Sequence, residues 1–386
     1  MKKVIKFLKL LITAFLLAAL ASSIFAVYVL NNTPDVYIID ENPNVIETSY
    51  VVKNVIIMIG DGMGENHIEA TRRYFGLEQL NMEKLPYKGY VKTSCILFGE
   101  EFPITDSAAA ATALATGYKT QIGMIGTRPD YNKSNEEMFL PENLLILPNV
   151  TERAMATGRK TGIVATKNLS DATPAGFSAH VLSRTEQAEI AKQQVNSGID
   201  VIMGAGYSSY YLPLTDQILE NGYQIATTYE ELVSLTSGKV YGGFNSINHN
   251  SIVNLEVMVK QSLKLLHNED GFFAMFEGSK IDSYAHDNNI FGVIDETKSF
   301  DNAVGIVMEY IDSNPDTLLI VTADHETGGL QSNLDIEEGV INHYEFTTGG
   351  HSDQEVLYFM YGKGAETVAA NIDNTEIAKL IFRALG

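Results

Sequence analysis

Three of the eight histidines in the sequence stand close to acidic residues, in segments whose spacing suits metal binding. The segments are EGSKIDSYAH (277–286), TADHETGG (322–329) and TTGGHSD (347–353). Asp282 and His286 are four residues apart, so on a helical turn they would lie on one face. A histidine and a carboxylate together suit zinc, although such a pair alone is more often a surface hydrogen bond. The candidate ligands in these segments are Asp282, His286, Asp324, His325 and His351.

Oxygen ligands at other positions suit a harder metal than zinc. Asp61 lies between glycines in MIGDGMG (58–64), where each oxygen of its carboxylate can serve one of two metal ions. Thr173 and Glu277 offer hard oxygen ligands, which magnesium prefers. The set permits two sites with nitrogen ligands and a third made of oxygen. Two metals about 4 Å apart can activate an attacking oxygen and stabilise a leaving one, which is the chemistry of phosphoryl transfer.

Ser107 stands near the start of an alanine-rich segment, TDSAAAATALATG (105–117). Alanine is the best helix former, so a helix is expected to begin near Asp106. Serine, threonine and aspartate are common N-cap residues, so the segment alone favours a capped helix that packs closely through small side chains. The alternative is a serine nucleophile held at the positive end of a helix. The metal-ligand residues elsewhere in the chain favour this alternative.

The elements that must position these residues alternate along the chain. Short apolar segments without period-two alternation suit strands that are buried on both faces. They lie at residues 54–59, 161–166, 200–206, 271–276, 316–323 and 355–361. Amphipathic segments between them, such as 185–197 and 253–267, predict helices. The pattern is typical of an α/β fold in which helices cover an open sheet.

Four of the predicted strands are followed by acids, a threonine or a histidine. One acid after one strand is usually a turn residue, but four such strand ends predict a shared site. Ligands in open α/β sheets bind beyond the carboxyl ends of the strands. The residues concerned are Asp61, Asp171 with Thr173, Glu277, and Asp324 with His325.

The composition excludes some partners and some kinds of site. The 386 residues carry a net charge of -21, and no basic stripe offers a platform for nucleic acid. Cys95 is the single cysteine, which excludes an intrachain disulfide, and we expect it to be buried. Any metal must therefore be held by histidine, aspartate and glutamate. A phosphate site in so acidic a chain needs local cations, from metals or from a placed arginine.

The N-terminal residues show the pattern of an export signal. Lysines at positions 2, 3, 6 and 9 precede an apolar run that reaches about Leu30. Residues 1–26 are expected to be a secretory signal peptide, although the run is also long enough to stay as a membrane anchor. Either alternative places the catalytic part outside the cytoplasm, in the periplasm or secreted. Residues 27–50 are expected to be a spacer and residues 51–386 a single catalytic domain.

The motifs taken together resemble those of the metal-dependent alkaline phosphatases. The resemblance runs from NVIIMIGDGMG (54–64) to GGHSD (349–353), and its core signature is TDSAAAATALATG. DATPAGFSAHVLSR (171–184), EGSKIDSYAH and TADHETGG stand in the family's order between them. The resemblance implies an α/β three-layer sandwich in which helices flank a central, largely parallel mixed sheet.

The resemblance also implies a role for each candidate residue. Ser107 would be the nucleophile that forms a phosphoserine, and Arg184 would bind two phosphate oxygens. Two zinc ions and one magnesium ion are implied, with small phosphate monoesters as substrates and a homodimer as the assembly. The first zinc would bind Asp282, His286 and His351, and the second Asp61, Asp324 and His325. Magnesium would bind Asp61, Thr173 and Glu277, with Asp171 behind these ligands.

One departure from the family and three alternative functions also bear on this interpretation. Ser283 follows the first zinc aspartate, where the family often carries lysine, histidine or tryptophan. A phosphodiesterase is disfavoured, because a second ester group would lose hydrogen bonds to Arg184. A sulfatase is disfavoured, because only alanines directly follow Ser107. An exported protein that binds metal or phosphate without turnover is disfavoured, because no ligand residue is missing.

Overall fold

A sheet of ten strands forms the centre of the molecule in the computed structural model, which describes residues 51–130, 133–134 and 137–386. The strands are β1 (Asn54–Gly60), β2 (Tyr87–Lys92), β3 (Cys95–Leu97), β4 (Glu100–Phe102), β5 (Thr127–Pro129), β6 (Leu144–Ile146), β7 (Lys160–Asn168), β8 (Val201–Ala205), β9 (Tyr223–Ala226), β10 (Lys239–Phe244), β11 (Phe272–Gly278), β12 (Thr317–Thr322), β13 (Asp335–Glu337), β14 (Val340–His343), β15 (Val356–Gly362) and β16 (Asn371–Asp373). The ten-stranded sheet has the order β16-β2-β15-β12-β1-β11-β7-β8-β10-β9. Three separate pairs are formed by β3 with β4, β5 with β6, and β13 with β14.

Helices flank this sheet in two groups. The helices are α1 (Glu65–Tyr74), α2 (Ser107–Thr116), α3 (Val150–Ala156), α4 (Ala172–Gly176), α5 (Gln187–Asn196), α6 (Tyr207–Tyr210), α7 (Thr215–Glu220), α8 (Tyr229–Ser234), α9 (Leu255–Leu266), α10 (Lys280–His286), α11 (Ile290–Ser313) and α12 (Asn374–Leu385). Short 3-10 turns lie at Met82–Lys84, Pro141–Asn143, Leu212–Leu214 and Ala365–Thr367. One group packs α2, α4 and α12 together, and the other packs α9, α10 and α1 against the long helix α11. The predicted α/β sandwich with a largely parallel mixed sheet is confirmed.

The central strands are apolar throughout because helices cover both of their faces. All seven residues of β1 are buried, and so are all seven of β11. Strand β1 pairs in parallel with β11 on one side, where Ile57 lies opposite Met275, and with β12 on the other, where Ile57 lies opposite Ile320. Strand β7 pairs in parallel with β11. The carboxyl ends of these four neighbouring strands therefore meet at one edge of the sheet, where open α/β folds bind ligands.

An antiparallel strand brings a later part of the chain to the same edge. Strand β15 runs antiparallel to β12, with Val321 opposite Phe359. The start of β15 therefore lies at the edge where β12 ends. His351 precedes this start by a few residues, so the topology alone returns it to the predicted site.

Of two further sequence predictions, the structure confirms one, and the other lies outside the described residues. Cys95 is buried, as predicted. Residues 1–50, which contain the predicted signal or anchor and the spacer, lie outside the described residues. Among the residues that the structure does describe, no helix combines the length and the apolar character needed to cross a membrane.

Candidate active site

Three buried carboxylates lie at the carboxyl edge of the central strands. Asp61 directly follows β1, Glu277 is the penultimate residue of β11, and Asp324 comes two residues after the end of β12. Their exposed fractions are 3%, 2% and 0%. Glu277 is in register with Ile59 of β1, which places these strand ends side by side. The structure therefore brings these three predicted acids to one edge of the sheet.

A first group of candidate metal ligands consists of Asp282, His286 and His351, whose ligand atoms all lie within 4.8 Å of one another. Asp282 and His286 share one face of α10, and His286 Nε2 lies 3.1 Å from Asp282 Oδ1. The Nδ1 atoms of His286 and His351 lie 2.7 Å from the carbonyl oxygens of Gly349 and Thr105. These backbone contacts turn both Nε2 atoms toward Asp282, an arrangement typical of metal-binding histidines.

A second group consists of Asp61, Asp282 and His325, again with ligand atoms within 4.8 Å of one another. The family resemblance implies that Asp324 belongs to this group together with Asp61 and His325. In the structure Asp324 Oδ2 lies 3.2 Å from His325 Nε2, so Asp324 belongs to the same cluster. Asp282 therefore belongs to both groups, since its carboxylate oxygens lie within 4.8 Å of the ligand atoms of each.

Each of the three buried carboxylates has one oxygen without a hydrogen-bond partner among the described residues. Within the described residues, Asp61 Oδ1, Glu277 Oε2 and Asp324 Oδ2 are buried without a hydrogen-bond partner. Burial and neighbouring acids raise the pKa of Glu277 to about 8 and that of Asp324 to about 6, and raise the pKa of Asp61 well above its usual value. Buried carboxylates are ordinarily paired or bound to metal. These orphaned oxygens fit metal ions, and those of Asp61 and Asp324 lie 3.7 and 3.2 Å from Nε2 of His325.

Two of the three histidines of the cluster, His325 and His351, are in the protonation state that metal binding requires. Burial lowers the pKa of His325 to about 4, and burial together with the neighbouring His325 lowers that of His351 to the same value. Both imidazoles are therefore neutral at pH 7. A neutral imidazole keeps a free nitrogen lone pair, which is the form that binds zinc.

Ser107 lies next to this cluster, at the start of α2. Its side chain is almost fully buried, and its Oγ lies 3.1 Å from Nε2 of His325. Asp106 is the N-cap, since its Oδ1 accepts a hydrogen bond of 3.0 Å from the backbone N–H of Ala109. Ser107 is thus the first helical residue, where the helix dipole favours negative charge on its oxygen. The segment therefore forms the expected capped helix, and Ser107, the candidate nucleophile, directly follows the cap.

The small side chains of α2 allow another helix to approach it closely. A Cβ added to Gly176 of α4 would lie 2.7 Å from Cβ of Ala111. Ala108 packs in a small apolar cluster with Ala172 and Ala175 of α4. The alanine-rich sequence therefore fixes Ser107 relative to the segment that carries Asp171 and Thr173.

Arg184 is held by two acids on opposite sides of its guanidinium group. Its Nη1 lies 3.2 Å from Oδ2 of Asp106, and its Nη2 lies 3.1 Å from Oδ1 of Asp171. Asp171 also caps α4, whose first turn holds the buried Thr173. The guanidinium group is therefore fixed between the cap of the Ser107 helix and the cap of the Thr173 helix. Its side chain remains 32% exposed, so an anion can reach it.

Two contacts of Asp282 were missed by the sequence interpretation. Thr327 Oγ1 donates a hydrogen bond of 2.8 Å to Asp282 Oδ1. Lys167 Nζ lies 3.1 Å from Asp282 Oδ2 and 3.5 Å from Asp61 Oδ2. Although burial alone would lower the pKa of Lys167, the carboxylates of Asp61 and Asp282 raise it. The signal that could have revealed Lys167 is its position at the end of a predicted strand, shortly before Asp171.

The fold and the site define an α/β enzyme in which a buried serine lies beside clustered candidate metal ligands. A family model described as alkaline phosphatase matches residues 52–344. Alkaline phosphatase 3 of Bacillus subtilis is 29% identical over 424 residues, covering 86% of this chain and 89% of that protein. Alkaline phosphatase 4 of the same organism is 35% identical over 299 residues, covering 72% of this chain and 62% of that protein.

A solved structure shares the fold over most of its length. It is a variant of TAB5 alkaline phosphatase with magnesium bound in its M3 site, and it matches with a TM-score of 0.76 and 30% identity. The match covers 87% of this chain and 98% of that one. The chain therefore belongs to the alkaline phosphatase family, as its motifs predicted, and is a phosphoric monoester hydrolase.

Proposed function

We propose that this chain hydrolyses small phosphate monoesters through a covalent phosphoserine on Ser107. The observation that carries the proposal is the position of Ser107 Oγ, which lies 3.1 Å from Nε2 of His325 at the N-terminus of α2. A serine hydroxyl is a weak nucleophile unless its surroundings stabilise the alkoxide. A helix N-terminus and a cluster of candidate metal ligands are two such features.

The proposed metals are two zinc ions and one magnesium ion. When bound, they would supply Lewis-acid stabilisation of the oxygens that attack and leave phosphorus. The proposed ligands are Asp282, His286 and His351 for the first zinc, Asp61, Asp324 and His325 for the second, and Asp61, Thr173 and Glu277 for magnesium, with Asp171 behind them. The orphaned oxygens of Asp61, Glu277 and Asp324 support this assignment, as does the magnesium in the TAB5 structure.

The residues of the chain itself provide binding and orientation. Arg184 binds two non-bridging phosphate oxygens through its planar fork, since a guanidinium group matches phosphate geometry. Asp106 and Asp171 hold that fork in place. Ser107 Oγ gives up its proton and forms a bond to phosphorus as the bond to the alcohol oxygen breaks, and the leaving oxygen takes up a proton and departs as the alcohol. Water then cleaves the phosphoserine, which releases inorganic phosphate and restores the serine.

The choice of monoester over diester is tested by comparing nitrophenyl substrates. A diester places a second ester group where Arg184 requires a charged oxygen, so each lost charged hydrogen bond costs about 1.5–3 kcal/mol. We expect kcat/KM for the phosphate monoester to exceed that for the matched diester by at least about tenfold. Equal or faster diester hydrolysis would sink the monoesterase proposal and favour the phosphodiesterase alternative.

Replacing Arg184 is expected to weaken phosphate binding. We expect Arg184→Ala to lower kcat/KM by about 100-fold and to weaken inhibition by inorganic phosphate, because two charged hydrogen bonds are lost. Arg184→Lys should recover part of this loss, since an ammonium keeps the charge without the fork. The measurements are steady-state kinetics and the inhibition constant of phosphate.

The matched control for Arg184 is Arg73→Ala. Arg73 pairs with Glu69 along α1 and does not contact any of the proposed site residues. This variant should keep the kinetics of the unaltered enzyme. An Arg184→Ala enzyme that is inhibited by phosphate as strongly as the unaltered one would rule out the proposed clamp.

We further propose that the enzyme acts outside the cytoplasm. This proposed location is supported by the lysine-rich start and apolar run of residues 1–26, which a polar spacer at 27–50 follows. Residues 51–386 are proposed to be a single catalytic domain, and the assembly a homodimer, as the family resemblance implies.

A further inference from the structure

Lys167 is a cationic side chain placed among the acids of the candidate metal site. It lies on the penultimate position of β7, at the same edge of the sheet as Asp61 and Glu277. Its backbone N–H donates a hydrogen bond of 3.3 Å to Oγ of Ser279, which fixes the strand end against the start of α10. Its side chain is 20% exposed, so the ammonium group lies largely inside the site.

The ammonium group contacts Asp282, which belongs to both groups of candidate ligands, and Asp61, which belongs to the second group. Nζ lies 3.1 Å from Oδ2 of Asp282 and 3.5 Å from Oδ2 of Asp61. The other nearby strong cation, Arg184, is paired with Asp106 and Asp171 instead. Lys167 therefore neutralises part of the charge of Asp61 and Asp282, whose other oxygens face the histidines.

A metal ion and this ammonium group compete for the same oxygens. A cation that binds Asp282 and Asp61 must displace the lysine from them or lie within a few ångströms of it. Either arrangement lowers metal affinity, because like charges repel strongly at short range in a poorly solvated site. In the absence of metal, the same ammonium group reduces the mutual repulsion of the buried acids.

We propose that Lys167 is an internal counter-cation of the metal ligands, which weakens metal binding and stabilises the metal-free fold. The inference rests on the metal ligands assigned under the proposed function. It assigns Lys167 a positioning role: the residue acts on the metal through Asp61 and Asp282. Metal retention at low zinc concentration is thereby set by a residue that is not itself a ligand.

The test compares zinc affinity and metal-free stability in the full chain and in Lys167→Met. This change removes the charge and keeps an unbranched side chain of similar length. We expect zinc to bind Lys167→Met about tenfold more tightly, measured by competition with a chromophoric chelator. In excess chelator, we expect the variant to melt at least about 2 °C below the unaltered chain.

The matched control is Lys160→Met, at the opposite end of the same strand. Lys160 donates a hydrogen bond of 3.0 Å to the carbonyl oxygen of Leu265, far along β7 from the ligands. Its replacement should leave zinc affinity unchanged. Lys167→Arg provides a second comparison that retains the charge, and it should bind zinc no more than about twofold more tightly than the unaltered chain.

The outcomes separate this inference from the function on which it rests. Zinc affinity in Lys167→Met within twofold of the unaltered chain, or an undiminished melting temperature in chelator, would overturn the counter-cation role while leaving the metal site standing. An unaltered chain that binds no zinc at all would overturn the metal site itself, and the counter-cation role with it. If Lys167→Met folds only with zinc present, zinc affinity is compared between Lys167→Gln and Lys167→Arg by the same competition assay. Tighter zinc binding by Lys167→Gln than by Lys167→Arg is then the expected result, and equal binding would overturn the counter-cation role.

Discussion

Replacing Ser107 by alanine is expected to lower kcat by at least about 10³-fold. The substitution removes the Oγ that lies beside His325, and no other serine or threonine hydroxyl of the described residues contacts His325 Nε2. The methyl group of alanine fits the start of α2, and Asp106 keeps the cap through its bond to Ala109. We therefore expect the folded structure and metal content to be retained, and only the chemical step to be lost.

The control for this substitution is Ser262→Ala. Ser262 is a fully buried helical serine in α9, whose Oγ has no hydrogen-bond partner among the described residues. It tests whether loss of a buried hydroxyl in general reduces activity. A Ser107→Ala enzyme that keeps a tenth or more of the kcat of the unaltered enzyme, at equal metal content, would exclude Ser107 as the nucleophile.

Removing the metals is expected to abolish turnover and to destabilise the fold together. The buried carboxylates of Asp61, Glu277 and Asp324 each have an oxygen without a hydrogen-bond partner in the described structure, so a bound cation would satisfy in the folded state oxygens that are otherwise buried and unpaired. A ligand present at about 1,000 times its Kd stabilises the folded state by about 4 kcal/mol. We expect chelation to reduce activity to background and to lower the melting temperature, and zinc with magnesium to restore both.

A pair of aspartate variants shows whether this loss arises at the proposed site. Asp61→Asn should lower the bound metal measured by mass spectrometry, since an amide is a weaker ligand than a carboxylate. Asp301→Asn is the matched control, because Asp301 is equally buried but accepts a hydrogen bond of 2.9 Å from Met82 N–H, remote from the ligands. Activity that survives exhaustive chelation, with metal content below detection, would show that the chain does not need metal.

The sequence was most informative where strands are buried on both faces. Strands β1, β7, β8, β11, β12 and β15 were all predicted, because helices on both faces require uninterrupted apolar residues. Strand β2 was missed, since its burial alternates and it pairs with β15 and β16 in the outer part of the sheet. Strand β10 was missed because two glycines interrupt its apolar sequence KVYGGF. The confirmed family resemblance supplied the mixed sheet that these local patterns could not.

The site was predictable in its residue types and less so in its pairings. Acids at strand ends and a histidine one helical turn from Asp282 could be read from local spacing. The contact of Lys167 with Asp282 joins residues 115 positions apart, and the contact of Arg184 with Asp106 joins residues 78 apart. Such pairs depend on strand order and helix packing, which a single sequence does not specify. The placement of Asp282 between both groups of ligands emerged only from the three-dimensional arrangement.

The most direct test of the covalent mechanism is to trap the phosphorylated enzyme. The metal-loaded chain is mixed with a radiolabelled phosphate monoester, quenched in acid, digested, and the labelled peptide is sequenced by mass spectrometry. We predict label on Ser107 in the peptide that contains TDSAAAATALATG, and none in Ser107→Ala. Label on a different residue, or full turnover with no phosphoenzyme in rapid-quench samples, would contradict the proposed mechanism.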